Sequence, residues 1–560
     1  MNQLLAFALA AAALPAAAPA QEKVDLAAVH RIKEEAFQNG KVMDHLFWLT
    51  DVNGPRLTNS PGFRSAADWA VRTLGQWGAS KPHLERWGDF GRGWSMTKFS
   101  ARMLEPSAGQ LTGVPKAWSG GTNGPVAGEV LLAPLVPRTE REDRRDAVKI
   151  GAHIARFIET WRGKLKGKVV LLDQLRELEL PKEIASSRMD EKKLADLGQA
   201  TVPEPLVPYE WPLAGIPADP KERQALFASL PLEVAADYWQ RVRIAYYPLW
   251  KFLAAEGAVA AFTTDDRGDG GLVFAESVGG WEKDAPVPPP VVALAPESYD
   301  RLARLAEKKI AARVEVDLQA RFTDDSTDGM NVVAEIPGAS KKDEIVMLGA
   351  HLDSWHAGTG ATDNGAGSAV MLEAFRILKV LGLPMDRTVR IALWSGEEQG
   401  LYGSRGYVRE HFADPETMKL KGEHAKLAGY FNVDNGTGRI RGVYLQGNDM
   451  ARPIFEAWLA PFKDLGAGTI TIRNTGGTDH LSFDAVGLPG FQFIQDPLDY
   501  NTRTHHSDMD VYEHAQPSDL MQASAIVASI VYDAATRKEL MPRKPLPKPL
   551  PPKRGTDREH

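Results

Sequence analysis

Four short apolar segments in the second half of the chain constrain the fold more than any other feature of the sequence. Stretches with helical spacing of apolar residues separate them, and each segment is long enough for one buried strand. The segments are EIVMLGAHLD (344–353), TVRIALWS (388–395), AGYFNVD (428–434) and FQFIQD (491–496). Apolar strands that alternate with helices are typical of a mostly parallel sheet covered on both faces. We therefore predict an α/β fold with a three-layer α/β/α domain on a mostly parallel, mixed sheet.

Acidic and histidine side chains follow the ends of these predicted strands. His351 and Asp353 end the first strand, Glu397 and Glu398 follow the second, and Asp434 ends the third. In open α/β sheets, ligands bind outside the carboxyl ends of the strands. The positions of these side chains therefore predict a functional site at one edge of the sheet.

Two loops add further polar side chains to this predicted site. Asp363 opens a predicted helix (364–379), and the loop after the fourth strand carries HHSDMD (505–510). Taken alone, Asp363 is explained as a helix N-cap, and Asp434 as a turn residue. Because all of these side chains follow buried strands of one domain, we interpret them as members of one site.

The types of donor predict the kind of ligand. The chain has no cysteine, so thiolate ligands, disulfides and a cysteine nucleophile are excluded. Imidazole and carboxylate together are ligands that zinc accepts. Two divalent ions about 3.5–4 Å apart are a known hydrolytic arrangement, and this donor set is large enough for two. We therefore predict a site for two zinc ions, or for other divalent cations.

The order of the motifs resembles that of a known family. The quoted motifs are WLTDVNGPRLTNSPGFRSAADWA (48–70), GAHLDSW (349–355), GATDNGAG (360–367), WSGEEQGLYGS (394–404), GTDHLSF (477–483) and HHSDMD (505–510). They resemble metallopeptidase family 28, the di-zinc exopeptidases, and within it the carboxypeptidase Q-like branch. The resemblance implies the zinc-exopeptidase fold. It also implies the metal ligands, which are His351 and Asp434 for one ion, Glu398 and His506 for the other, and Asp363 as the bridge.

The resemblance also implies residues that act beside the metals. Glu397 is expected to be the general base that activates the metal-bridged water, and Asp353 is expected to orient the His351 ring. His480 lies in a motif that lines the substrate site in many relatives. Its role stays open between substrate binding and a packing or supporting histidine.

Two adjacent histidines compete for one ligand position. We choose His506 over His505 because the family places an aspartate four residues after this ligand, and Asp510 fits that spacing. The family also tends to have a cis peptide bond after the bridging aspartate. That bond corresponds to Asp363–Asn364 in this chain.

The chain is long enough for more than one domain. We predict a catalytic domain split between 21–105 and 319–540, and an insert at 106–318. Two passages resemble a β-rich protease-associated domain, namely KGKVVLLD (166–173) and the helix–strand passage that ends AAEGAVAAFTTDD (254–266). A charged, Pro-punctuated stretch at about 174–245 is predicted to be an additional helical elaboration of that insert.

The two ends of the chain differ from the rest in composition. Residues 1–20 are apolar and end in Ala-Pro-Ala, which is typical of a secretory signal peptide. The alternative is an ordinary Ala-rich helix. Residues 541–560 are rich in proline and basic residues, so we predict a disordered tail.

These observations predict an exported di-zinc exopeptidase in the periplasm or outside the cell. Its substrate is expected to be a short peptide, cleaved by aminopeptidase or dipeptidase action, with carboxypeptidase action as an alternative. A net charge of −7 gives no case for nucleic-acid binding, no membrane span is expected, and the oligomeric state, homodimer included, stays open. Two other classes are considered, an inactive receptor or scaffold and a glutaminyl-cyclase-like acyltransferase. The complete donor set disfavours both.

Overall fold

A computed structural model describes residues 22–177, 185–204 and 206–551. The predicted signal peptide and the last part of the predicted tail lie outside these residues. None of the helices in the described ranges has both the length and the apolar character that a membrane span requires.

The N-terminal segment forms helices and the first strand. These are α1 (Leu26–Gln38), α2 (Val42–Phe47), α3 (Pro61–Gln76) and β1 (Ser80–Asp89). The start of α3 follows from its sequence, because the Ser60 side chain accepts a hydrogen bond from the Phe63 N–H at 3.1 Å. Pro61 occupies the first helical position, where its missing N–H costs nothing.

The middle of the chain alternates strands and helices. In chain order these are β2 (Gly93–Glu105), β3 (Gly109–Gln110), β4 (Gly113–Pro115), β5 (Val126–Leu132), α4 (Ala147–Trp161), β6 (Lys168–Leu171), α5 (Glu191–Gly198), α6 (Pro220–Ser229), α7 (Leu232–Ala245), α8 (Tyr247–Ala255), β7 (Ala260–Thr263), β8 (Val291–Leu294), α9 (Pro296–Glu307) and β9 (Arg313–Thr323).

The remaining elements belong to the C-terminal half. They are β10 (Asp328–Ile336), β11 (Lys341–His351), α10 (Ala366–Leu381), β12 (Arg387–Trp394), α11 (Tyr402–His411), β13 (Ala413–Asp414), β14 (Lys419–Leu420), β15 (Leu427–Asn432), β16 (Ile440–Tyr444), α12 (Arg452–Leu459), β17 (Thr469–Thr471), α13 (His480–Asp484), β18 (Gly490–Gln495) and α14 (Pro517–Thr536). Each of the four apolar segments predicted as strands overlaps one of these strands, namely β11, β12, β15 and β18.

The first sheet takes strands from both ends of the chain. Its order over the described residues is β1-β10-β12-β11-β15-β18-β16-β17. Strands β12, β11, β15 and β18 are parallel neighbours. The pairs β1–β10, β10–β12 and β16–β18 are antiparallel. The prediction of a mostly parallel, mixed sheet is confirmed.

Helices cover both faces of this sheet. Neighbouring side chains of β11 point to opposite faces, so Met347 and Leu348 enter different cores. Leu348 packs with Phe375 of α10 and Ile526 of α14. Met347 packs on the other face in a core that includes α11 and α13. The result is the predicted α/β/α arrangement, which leaves the carboxyl edge of the parallel strands open to the site.

The middle segment builds a second sheet of order β3-β2-β9-β5-β6-β7-β8-β4 over the described residues. One face packs on α9, where Phe262 contacts the core of Tyr299 and Leu302. The other face packs on α4 and α8, where Ala261 joins Ile154. The middle segment therefore combines a sheet with helices on both of its faces, and its resemblance to a protease-associated domain stays a prediction.

The second sheet extends beyond the bounds predicted for the insert. Strand β2 pairs with β9, with Trp94 opposite Phe322. The sheet therefore takes in residues from 93 to 323, whereas the predicted insert covers 106–318. Strand β2 belongs to the second sheet because it pairs with β9. The local periodicity of the sequence does not predict this pairing.

The helical elaboration of the insert is attached to the first domain. Arg188 lies 2.9 Å from the carboxylate of Asp496 and 2.6 Å from that of Asp519. Glu233 of α7 forms a salt bridge with Arg405 of α11. The elaboration therefore bridges the two sheets rather than projecting into solvent.

The described part of the C-terminal tail differs from the predicted disorder. Residues 541–551 run extended along the first domain, and Met541 is buried in its core. Arg543 donates to the carbonyl of Leu427 at 2.7 Å, and Lys544 lies 2.5 Å from Asp484. A segment rich in proline cannot build a core of its own, but it can lie on the core of a neighbouring domain.

A buried arginine connects the N-terminal segment to the loop that follows β11. The Arg56 guanidinium is fully buried and donates to three carbonyls of that loop, those of Leu352 at 2.6 Å, Thr359 at 2.8 Å and Gly360 at 2.7 Å. Burial lowers the pKa of Arg56 to about 10, against the raising effect of nearby carboxylates. Arg56 remains charged at neutral pH, so this loop is held by charge-assisted hydrogen bonds.

We expect Arg56→Met to lower the free energy of unfolding by about 3 kcal/mol or more, because it leaves several buried carbonyls without a donor. Urea unfolding followed by circular dichroism measures the change. Arg64→Met on the exposed side of α3 is the matched control and should stay within about 0.5 kcal/mol of the wild type. Equal stabilities for the two variants would contradict this role of Arg56.

Candidate functional site

Parallel strands bring the predicted site residues together at one edge of the first sheet. His351 is the last residue of β11, and Asp434 follows β15 by two residues. Glu397 and Glu398 lie in the turn after β12. Since β12, β11 and β15 are parallel neighbours, their carboxyl ends deliver these side chains side by side.

The first group of donors surrounds the His351 ring. Its Nε2 atom lies 3.3 Å from Asp363 Oδ1 and 3.3 Å from Asp434 Oδ1. Glu397 Oε2 is slightly farther from the same nitrogen, at 3.9 Å. His351 and Asp363 are buried, and Glu397 and Asp434 are 8% exposed.

The second group surrounds the His506 ring. Its Nε2 atom lies 3.3 Å from Asp363 Oδ2 and 3.1 Å from Glu398 Oε2. Asp363 therefore faces one histidine with each of its carboxylate oxygens. His505 lies farther away, 3.7 Å from Asp363 Oδ2, with a side chain that is 37% exposed. Of the two adjacent histidines, His506 makes the closer contacts with both acids.

Several atoms of these groups have no hydrogen-bond partner among the described residues, although they are buried. They are His351 Nε2, Asp363 Oδ2 and Asp434 Oδ1. Buried polar atoms are nearly always paired, because leaving them unpaired costs free energy. These atoms point at one another, and imidazole and carboxylate are donors that suit zinc. The residues therefore fit a metal centre.

The charges of the cluster shift the pKa values of its members. Burial raises the pKa of Glu397 well above its usual range, and the neighbouring carboxylate of Asp434 adds to the effect. Burial also raises the pKa of Glu398, together with the carboxylate of Asp363. Burial would raise the pKa of Asp363, but the adjacent His351 and His506 imidazoles outweigh burial and hold this pKa well below the usual range. Excess negative charge in a buried site favours cation binding.

The structure corrects the role expected for the Asp353 carboxylate. His351 Nδ1 lies 2.9 Å from the backbone carbonyl of Asp353, while the carboxylate is 3.8 Å away. That carboxylate instead accepts from the Thr58 hydroxyl at 2.9 Å and from the N–H groups of Glu397 and Glu398, each at 3.3 Å. Asp353 thus orients His351 through its main chain and holds the glutamate turn with its side chain.

Asp510 fixes the loop that carries the bridging carboxylate. Its side chain accepts from the Thr362 N–H at 2.5 Å, and its carbonyl accepts from the N–H groups of Thr359 and Gly360. The peptide bond Asp363–Asn364 is cis, which confirms that prediction. The Asn364 side chain donates to the carbonyl of Val433 at 2.8 Å.

His480 does not line the cleft in which the candidate site lies. It is fully buried in α13, and its Nε2 atom lies 3.2 Å from the carbonyl of Thr475. Burial lowers its pKa to about 3. Of the two roles left open by the sequence, this position favours the packing role, because the side chain is fully buried.

One acid at the site is not predicted by the sequence. Glu276 of the insert has its Oε1 atom 2.8 Å from His506 Nδ1. The two residues are far apart in the chain, and Glu276 lies in a loop between β7 and β8 without a recognisable motif. Only the packing of the insert against the loop of His506 shows this contact.

The site lies in a cleft of about 2460 Å³. The cleft is bordered by the first domain, by the elaboration of the insert, and by the C-terminal tail. Residues that line it include Asp363, Glu397, Glu398, Asp434 and His506 from the site, Trp239 of α7, and Lys544 and Leu550 of the tail. The described tail is therefore part of the wall of the cleft.

Comparison with known proteins agrees with this geometry. Residues 331–531 match the model of a family described as Peptidase family M28. Carboxypeptidase Q from Pongo abelii is 31% identical over 254 residues, which cover 45% of this chain and 51% of that relative. The chain thus spans about half the length of the curated relatives it matches.

Solved structures show the same fold over most of the chain. The Peptidase M28 precursor from Shewanella amazonensis SB2B has a TM-score of 0.59 at 21% identity, covering 93% of this chain and 98% of that chain. BSAP, described as a zinc aminopeptidase from Bacillus subtilis, has a TM-score of 0.52 at 18% identity, covering 90% and 96%. These similarities confirm the predicted fold class.

The buried position of His480 gives a prediction about stability and pH. Its pKa of about 3 lies below the value near 6.5 expected in the unfolded chain, so the unfolded chain binds more protons between these limits. Stability is therefore lost as the pH falls below about 6.5, by up to roughly 1.4 kcal/mol per pH unit. We expect His480→Asn to flatten this dependence.

Urea unfolding at pH 7, 6 and 5, with chelator present for every variant, measures the effect. His30→Asn on the exposed face of α1 is the control and should follow the wild type. The same slope in the wild type and in His480→Asn would show that His480 is not a buried, neutral group.

Proposed function

Since residues 331–531 belong to peptidase family M28, we propose that the protein is a zinc-dependent exopeptidase that uses two metal ions to hydrolyse short peptides. One observation carries this proposal. The Asp363 carboxylate faces His351 with one oxygen and His506 with the other, and each histidine has a second acid beside it. A carboxylate shared in this way is suited to lie between two neighbouring divalent cations.

The donor groups assign ligands to two positions. His351 and Asp434 would hold one zinc ion, Glu398 and His506 the other, and Asp363 both. Zinc, when bound, lowers the pKa of a water and polarises a carbonyl. The two clusters already have short donor-to-donor distances, which supports binding without a large rearrangement.

Glu397 is the proposed proton carrier. It lies in the cleft but forms the longest contact with His351 among the acids of the first group, at 3.9 Å. Burial raises its pKa, which suits a carboxylate that takes up a proton and returns it. In the proposed reaction Glu397 removes a proton from the attacking water. It then donates that proton to the amine nitrogen released when the C–N bond breaks.

The walls of the cleft support short peptides as substrates. The elaboration is anchored to the first domain by Arg188 and by the Glu233–Arg405 salt bridge, and the tail forms part of the rim. A cleft walled on these sides is suited to the free end of a peptide. Aminopeptidase or dipeptidase action is the proposed type, which agrees with the description of BSAP.

Carboxypeptidase action is the second candidate, and one observation favours it. Lys116 of the insert lines the cleft and forms no salt bridge with a described residue. A lysine ammonium in such a place is able to bind the carboxylate at the C-terminal end of a peptide. The description of one relative as carboxypeptidase Q agrees with this alternative.

We also propose that the protein is exported to the periplasm or outside the cell. The apolar composition of residues 1–20 and their Ala-Pro-Ala ending support this proposal. Amino-terminal sequencing of the protein purified from a cell-free culture fraction tests it, and a chain that keeps residues 1–20 would contradict it.

One experiment tests the proposed activity and its type together. The purified protein should contain close to two equivalents of zinc and should lose activity when a chelator removes them. Free, N-blocked and C-amidated dipeptides are then assayed, with identification of the products. An aminopeptidase cleaves the C-amidated peptide, a carboxypeptidase cleaves the N-blocked peptide, and a dipeptidase requires both ends free. Absence of hydrolysis in zinc-loaded protein would instead favour a receptor or scaffold.

Adjacent glutamates of the same turn are predicted to respond differently to substitution. Glu397→Gln should keep both metals but lower kcat by about 10²–10⁴-fold, because the carboxamide cannot accept the proton. Glu398→Ala should lower metal content and activity together, because it removes a ligand of His506's metal. Metal analysis and steady-state kinetics on both variants measure the difference.

The matched control is Glu410→Gln on the exposed side of α11, which removes the same charge. It should leave both the metal content and kcat unchanged. A Glu397→Gln enzyme with most of its turnover, or one that loses metal as Glu398→Ala does, would overturn the assignment of roles.

A further inference from the structure

Both nitrogen atoms of the His506 ring have acidic neighbours, and these come from different domains. Nε2 faces Asp363 and Glu398 of the first domain. Nδ1 lies 2.8 Å from Glu276 Oε1, which belongs to the insert. Arg267 approaches the same oxygen only to 3.9 Å, so His506 is the closer partner of Glu276.

The backbone of the insert also pairs with the backbone around His506. The Ala275 N–H donates to the carbonyl of His506 at 3.1 Å, and the Asp508 N–H donates to the carbonyl of Val273 at 3.0 Å. The Val273 N–H donates in turn to the Asp508 carboxylate at 2.9 Å. An isolated antiparallel β-bridge between Phe274 and Ser507 completes the contact.

This pairing is relevant because His506 has an unusual backbone conformation. Its φ angle is 65°, in the left-handed region that residues with a side chain seldom adopt. Such conformations persist where the surrounding structure imposes them. At His506 the insert supplies backbone hydrogen bonds on one side of the loop.

The other histidine of the site is held differently. The Nδ1 atom of His351 contacts the backbone carbonyl of Asp353, which is part of the same loop. The orientation of His351 is therefore determined within the first domain. The orientation of His506 depends on a carboxylate that enters from the insert.

We propose that the insert completes the second metal position, with Glu276 as a positioning residue for His506. This inference rests on the metal centre proposed above. A carboxylate that accepts from Nδ1–H fixes the tautomer in which Nε2 has a free lone pair. It also orients the ring and makes Nε2 a stronger donor toward a cation. Residues 273–276 hold the backbone of this ligand.

Zinc binding by the full chain tests the proposal. Competition with a chelator of known affinity gives the two dissociation constants in the wild type, Glu276→Ala and Glu276→Gln. Removal of a carboxylate behind a ligand histidine typically weakens metal binding about 10–100-fold. We expect this loss for one zinc ion only in Glu276→Ala. We expect a smaller loss in Glu276→Gln, whose amide oxygen still accepts from Nδ1–H.

A second measurement is independent of activity. In protein loaded with cobalt(II), the visible absorption of one of the two ions should change in Glu276→Ala while that of the other stays the same. Glu129→Gln, an exposed glutamate of β5 in the same insert, is the control and should match the wild type in both measurements. The unfolding temperature of the metal-free protein should be similar for all variants. If Glu276→Ala does not fold, the volume-conserving Glu276→Gln carries the test.

The outcomes separate this inference from the proposed function. Wild-type protein that binds no zinc would refute the metal centre and the inference with it. Wild-type protein that binds two ions, together with a Glu276→Ala variant that keeps both affinities within about twofold, would overturn only the inference. An equal loss of zinc affinity at both positions would also overturn the inference, because the Nδ1 atom of His351 contacts the Asp353 carbonyl and not the insert.

Discussion

The shared carboxylate of Asp363 is the interaction on which the rest of the structure depends. Its two oxygens each lie 3.3 Å from a histidine nitrogen, and one of those histidines ends β11 while the other lies in the loop after β18. Asp434 lies beside one of these histidines and Glu398 beside the other, so further acidic groups share this buried environment. Such a cluster is unfavourable by itself, because buried charges and unpaired polar atoms cost free energy. It persists because several strands end there and because the loops between them are held from outside.

The supporting contacts come from residues outside the two groups of donors around His351 and His506. The Arg56 guanidinium donates to backbone carbonyls of the loop after β11. The Asp510 carboxylate accepts from a backbone N–H of the same loop. Asp353 holds the turn with the two glutamates. Each of these side chains is itself buried and polar, so its removal leaves unpaired groups behind. The same contacts therefore serve the stability of the domain and the geometry of its site.

The insert has a larger part in the site than a domain boundary suggests. It contributes Glu276 beside His506, a backbone pairing along that loop, and the helices that narrow the cleft. The orientation of His506 and the walls of the cleft thereby depend on one contact region. A change in how the insert packs against the first domain is expected to move His506 before His351, because the His351 ring is oriented by the backbone of its own segment.

The sequence by itself determined the strands, the sheet class and the donor set, because these follow from local patterns. A run such as EIVMLGAHLD specifies a buried strand, and parallel strands must present their carboxyl ends together. It did not determine the extent of the second sheet, the packing of residues 541–551, the buried position of His480 or the contact of Glu276. These depend on which distant surfaces meet. Asp353 shows the distinction within one residue. Its place after a strand end could be predicted from the sequence. The group that faces His351 could not, because the N–H groups of Glu397 and Glu398 bind the Asp353 carboxylate. The backbone carbonyl of Asp353 therefore contacts His351 instead.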